Sequence, residues 1–342
     1  MLTRREFIKW LTAVGATSTI LKLTGCTPAQ SVTPIPSRIK PTAIPPTKTT
    51  IAPTAASTVE ATQPPAATAT ATPLPPYLSV AHGDDPATIT QRAINALGGM
   101  ERFVQPGQNV LIKPNICVAY HPPEYAATTN PQVVAALVTM CLAAGAANVS
   151  VMDHPFGGTA EQAYKISEIA DAVAAAGGQM VLMGSLKFRD TPIPGGVNIK
   201  QWQIYQDALK ADVIIDVPIA KHHSLAKLTL AMKNLMGLAE NRSALHANLG
   251  ERLTDLATLF KPKLIVIDAY RMLMANGPTG GDLNDVKLSK TVIASQDIVA
   301  ADAYATTLFG LKPESISYIK AAAARGLGTL DLSSIKIEEI NA

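Results

Sequence analysis

From residue 77 onward, short aliphatic runs alternate with stretches of helical spacing, and this alternation most narrows what the chain can become. Runs at 213–217 and 264–267 are too short for helices and too apolar for surface strands, so they read as strands buried on both faces. Further strands are expected at 77–81, 109–112, 148–152, 180–183 and 291–294, with an edge strand at 335–337. Helical spacing covers 86–97, 159–175, 246–260, 298–309 and 315–324, and Asn130-Pro131 opens a further helix that runs to Gly145. Strands separated by helices predict an α/β fold with a mainly parallel sheet flanked by helices, built as a single elaborated domain over 77–342.

The first 76 residues have a different character. Arg4-Arg5, followed by Phe7, Ile8 and Lys9, resembles a twin-arginine export signal. The weakly apolar stretch behind it is too short and too polar to span a bilayer, but it suits a signal-peptide core. It ends in Leu23-Thr24-Gly25-Cys26, which resembles a bacterial lipobox. Residues 1–25 are therefore expected to be a signal peptide, with lipid on Cys26 anchoring the protein to the outer face of the cell membrane. Residues 27–76 hold 12 prolines and 12 threonines without apolar periodicity, so 26–76 is expected to be a disordered stalk.

Charge follows the same division. The chain carries a formal +3, yet residues 77–342 hold 22 basic against 24 acidic side chains. The excess positive charge lies in the leader and stalk. This argues against a nucleic-acid partner, which would need its Lys and Arg on the folded surface.

In open parallel sheets, ligands sit at the carboxyl ends of the strands. Lys113 and Asn115 follow the run at 109–112, and Asp153 and His154 follow 148–152. Lys221, His222 and His223 follow 213–217, and Asp268 follows 264–267, with Asn276-Gly277-Pro278 in the next loop. Lys113, Lys221 and Lys233 supply positive charge for a small anionic ligand, and Lys233 in its apolar surroundings is a candidate base or nucleophile. Adjacent histidines diverge in extended chain, so His223 rather than His222 is expected to enter the site. Asn115, Asn234 and Gly277 are candidate substrate contacts. Asp153, His154 and Asp268 offer oxygen and nitrogen ligands for a divalent metal. His246 is open between core and site, and Cys117 between nucleophile and ligand.

Several of these motifs occur together and in order: Lys113-Pro114-Asn115, Thr129-Asn130-Pro131, Lys221-His222-His223 and Met232-Lys233-Asn234-Leu235-Met236-Gly237. Asp268 with Asn276-Gly277-Pro278, and Asp297 through Asp302, complete the set. On these residues the chain resembles the DUF362 family across essentially all of 77–342. The resemblance implies no established activity. Many members carry ferredoxin-type cysteine clusters, but beyond Cys26 this chain has only Cys117 and Cys141, too few for a four-cysteine iron–sulfur cluster of its own. The expected function is thus an enzyme acting on a small anionic compound, with metal assistance an open option. The alternatives are a tethered ligand-binding protein and an accessory partner of a separate redox protein.

Overall fold

The computed structural model describes residues 77–341. The expected signal peptide, Cys26 and the stalk lie outside the described residues. The chain begins with β1 (Leu78–His82) and α1 (Pro86–Ala96), then β2 (Asn109–Pro114), α2 (Pro131–Ala143) and β3 (Asn148–Val151). Two short helices follow, α3 (Ala160–Ile166) and α4 (Ile169–Ala175), then β4 (Gln179–Met180) and a separate antiparallel hairpin of β5 (Phe188–Pro192) and β6 (Gln201–Tyr205). Next come β7 (Val213–Val217), β8 (Ile219–His223), β9 (Lys227–Thr229), α5 (Ala231–Asn234), α6 (Arg242–Leu245) and α7 (Leu249–Phe260). The chain closes with β10 (Leu264–Leu273), β11 (Val286–Ser295), α8 (Ile298–Thr307), α9 (Ser317–Ala324) and β12 (Ile337–Asn341).

The central sheet runs β12-β1-β11-β10-β7-β2-β3-β4, with β8 beside β10 and β9 beside β8. All neighbours from β10 to β4 pair in parallel, as do β12 and β1. The fold is therefore mixed α/β, with a mostly parallel sheet covered by helices. Side-chain alternation along the strands sorts residues between two apolar layers. Ile265, Ile267 and Ile293 join the layer under Met232, Leu253 and Val299, while Leu264, Val266, Val292 and Val213 join the one under Ile89, Val134 and Val173.

Local chemistry sets the helix starts. Asn130 caps α2 by accepting from the Gln132 amide, and Pro131 occupies a position where no amide proton is needed. Three expectations change. The segment 159–175 is not one helix: Ser167 turns back to bond Tyr164 O and Glu168 takes a left-handed φ of 61°, so α3 and α4 present separate apolar faces. Strand β11 is antiparallel to both β1 and β10, because a loop rather than a crossover helix joins it to β10. The strands β5, β6, β8 and β9 were not expected, since none has a continuous apolar run.

Candidate functional site

A pocket of about 510 Å³ opens where β2, β3 and β8 end, beneath α5 and α6. Pro218 interrupts the chain after β7, and β8 then restarts in parallel with β10. Alternation along β8 places Lys221 and His223 on the pocket side and His222 away from it. The His222 Nδ1 instead accepts the Gly277 amide at 3.0 Å. Helix α5, only four residues long, supplies Lys233 and Asn234. Its N-terminus is held from α8 by Asp302, whose two carboxylate oxygens accept the Ala231 and Met232 amides at 2.7 and 3.1 Å. Burial raises the Asp302 carboxyl to about 7.

Three buried lysines converge here, and their hydrogen bonding separates them. Lys113 Nζ donates to Asp153 Oδ1 at 2.7 Å, Asn234 Oδ1 at 2.9 Å and Pro114 O at 2.8 Å. Lys221 Nζ donates to Asn115 Oδ1 at 3.0 Å, Ala127 O at 2.6 Å and Pro278 O at 3.0 Å. An ammonium has three protons, so both are saturated. Lys233, 9% exposed, has a different environment: its Nζ meets the Met236 sulfur at 3.6 Å and, among the described residues, no oxygen or nitrogen acceptor. Burial and the nearby Lys221 charge push the Lys233 amine down to about 7.

Asn234 is the node that ties these lysines together. Its Oδ1 accepts from Lys113 and Asn115, and its Nδ2 donates to Lys113 O and to Asp216 Oδ1. Asp216 sits inside the run read as uniformly apolar, fully buried, with its second oxygen unpaired among the described residues, and burial raises its carboxyl well above the usual range. Gly237 follows closely, because a Cβ there would lie 1.9 Å from Asp153 Oδ1 and 2.7 Å from Lys113 Nζ.

The histidines are arranged by their backbone contacts. His223 Nδ1 accepts from the Leu225 and Ala226 amides at 3.1 and 3.3 Å, which leaves the proton on Nε2. Burial and the Lys233 charge push its imidazole down to about 3. His246 Nδ1 faces Arg242 O at 2.9 Å and must donate to it, so Nε2 is an acceptor, and among the described residues it has no partner. His246 lies in a short turn after α6 rather than in the body of a helix. The rings of His223 and His246 stack with centroids 5.9 Å apart.

The expected site residues thus divide. Asn115, Asp153, His154, Lys221, His223, Lys233 and Asn234 line the pocket together with Cys117 and His246. Lys113, 0% exposed, lies behind the lining and supports it. Asp268 lies outside the lining: its oxygens accept the Asn130 and Tyr270 amides at 2.7 and 2.9 Å, and burial raises its carboxyl to about 6. Gly277 shapes the loop that carries Pro278, where a Cβ would strike His222 O at 1.9 Å. The proposed ligands Asp153, His154 and Asp268 do not form a metal centre. Asp153 is committed to Lys113 and to the Ile116 amide at 2.6 Å, and no group of three His, Cys, Asp or Glu with metal-binding geometry occurs among the described residues. Cys141 is buried in α2, and burial pushes its thiol up to about 12.

Sequence reasoning missed Arg242 and Glu240, which also line the pocket. Arg242 donates to His154 O at 2.5 Å and Pro155 O at 3.1 Å, so it holds the β3–α3 loop as well as adding positive charge. Nothing in their local spacing marks them, since they come near the site only through the fold of α6.

A family model described as "Domain of unknown function (DUF362)" matches residues 110–307. A thylakoid-associated protein of Synechocystis sp. is 30% identical over 249 residues, covering 68% of this chain and 73% of its own. Among solved structures, the lactate racemase apoprotein from Thermoanaerobacterium thermosaccharolyticum aligns with a TM-score of 0.43 at 13% identity, over 67% of this chain and 56% of that one. A Thermotoga maritima protein aligns at 0.29 and 11% identity, over 54% and 51%.

Proposed function

Because the chain belongs to the DUF362 family, whose description assigns no activity, its chemistry has to be read from its own pocket, and we propose an enzyme that moves a proton on a small organic anion. The observation that carries this reading is the contrast among the lysines: two are saturated ammonium groups, and the third is an amine with no hydrogen-bonding oxygen or nitrogen among the described residues. Lys221 and Arg242 supply a positive field for a carboxylate or phosphate. Lys233 is the base, near its best working range at neutral pH, and His246 Nε2 is a second acceptor. His223 offers a neutral N–H donor. The committed oxygens of Asp153 and Asp268 do not favour metal assistance at those residues.

The test is a panel of small carboxylates in deuterated water. Members that raise the melting temperature should also gain deuterium at the carbon next to the carboxylate. Stabilisation without exchange across the panel would favour the tethered ligand-binding alternative.

For the N-terminal region we propose export by the twin-arginine route and lipid attachment at Cys26. The support is the Arg4-Arg5 and Leu23-to-Cys26 patterns, together with a relative whose name places it at thylakoids. Among the described residues no helix is long and apolar enough to cross a membrane. In cells fed labelled fatty acid, the wild-type chain should take up label and sediment with membranes. Cys26→Ala should lose both, and label retained by that variant would exclude Cys26 as the attachment point.

A further inference from the structure

Proton transfer needs a base, but it does not by itself explain why a primary amine rather than a carboxylate occupies that position. The pocket presents three nitrogen functions together. Lys233 Nζ has a lone pair with no competing hydrogen-bond donor or acceptor among the described residues beyond the Met236 sulfur. His223 is held with Nε2–H free to donate. His246 Nε2 is an acceptor with no partner among the described residues. The pocket lining includes the apolar Met236, Ile116 and Phe156, and the Met236 sulfur lies 3.6 Å from the amine. Such a lining disfavours an ammonium and favours loss of water from an adduct. Positive charge lies nearby on Arg242 and on Lys221, whose three acceptors hold its ammonium against the burial that pushes the amine down. An amine nucleophile beside a cationic field selects a molecule with both a carbonyl and an anionic group.

We infer that Lys233 forms a Schiff base with a small 2-oxo carboxylate. This rests on the reading of the pocket given above and names its substrate class. The Nζ lone pair attacks the carbonyl carbon, and the carbonyl π pair moves to oxygen. His246 Nε2 takes one proton from the nitrogen and passes it to that oxygen, giving the carbinolamine. The second nitrogen proton follows the same route to the hydroxyl as the carbon–oxygen bond breaks, so both protons of the released water come from Nζ. One carbon–nitrogen double bond forms, the carbon–oxygen bond breaks, one water is released, and nothing is oxidised or reduced. The resulting imine draws electrons from the neighbouring carbon, which makes the proton there easier to remove and links the adduct to the exchange chemistry.

The experiment incubates the full-length chain with pyruvate and cyanoborohydride at neutral pH and maps adducts by peptide mass spectrometry. The reductant converts the imine to a stable secondary amine. Lys233 should be labelled roughly tenfold or more faster than the exposed Lys210, with saturation in pyruvate, because its amine is pushed down to about 7 and lies in a pocket lined by Lys221 and Arg242. The same chain unfolded in urea should label its lysines evenly. Label spread over exposed lysines with Lys233 unmodified overturns the inference. If Lys233→Met abolishes deuterium exchange while the wild-type Lys233 never traps pyruvate, the Schiff base is wrong and the simple base stands. If Lys233 traps pyruvate but no anion exchanges, the covalent inference stands and the proton-transfer reading fails.

Discussion

Lys113→Met should lower the unfolding free energy by about 3–5 kcal/mol, the usual cost of leaving one member of a buried ion pair without its partner. The side chains of Lys113 and Asp153 are 0% and 5% exposed, so water cannot take over from the lost ammonium. The loss extends beyond one contact, because Asn234 Oδ1 and Pro114 O also lose a donor. Urea denaturation is the measurement, with a shifted midpoint and an unchanged slope as the expected result. Adding Asp153→Asn should restore part of the loss, since the stranded charge disappears while an oxygen remains for the Ile116 amide. A single variant within about 1 kcal/mol of wild type would show that the pair does not hold this end of the sheet.

Lys233→Met should have the opposite profile, with activity lost and the fold kept. Loss of a general base costs about 10²–10⁴-fold in rate, read here as deuterium exchange on the responsive carboxylate. Stability should rise, and its pH dependence is fixed by the direction of the shift. In the unfolded chain the amine titrates near 10.5, and in the folded chain near 7. Below about pH 7 both states carry the proton, and the folded state bears the full cost of holding it away from water. Between about 7 and 10.5 the folded amine is neutral while the unfolded one is still charged, so that cost shrinks as pH rises. Methionine carries no proton at any pH. The gain in melting temperature should therefore be largest below pH 7 and fade toward pH 10. A variant that is less stable than wild type at pH 6 would count against a desolvated amine.

Much of this was legible in the chain itself, and the exceptions have physical causes. The apolar runs located β2, β7 and the start of β10, because burial on both faces leaves little choice of residue. Strand-end placement brought Lys221, His223 and Asp153 to one pocket, and period-two alternation separated His223 from His222. Lys233 was marked by its apolar neighbours in the chain, and in the fold it is buried. The direction of β11 was not legible, since its composition suits either pairing and only the connecting loop decides. Asp268 was misread because a carboxylate after a strand has the same spacing whether it faces a ligand or, as here, the amides of Asn130 and Tyr270. Asp216 shows the limit of reading periodicity, because a single buried carboxyl bonded to Asn234 does not disturb an otherwise aliphatic strand.

The node at Asn234 has a consequence for how the chain can be divided. Its four hydrogen bonds reach Lys113 and Asn115, 121 and 119 positions away, and Asp216, 18 positions away. The short helix that carries it is held by Asp302, about 70 positions further on. No contiguous half of the domain contains all of these partners. A nascent chain therefore cannot acquire a working pocket until α8 has been made and docked, and a gene split anywhere between residues 115 and 302 would have to bring both pieces back together before Lys233 could act as anything but an ordinary lysine.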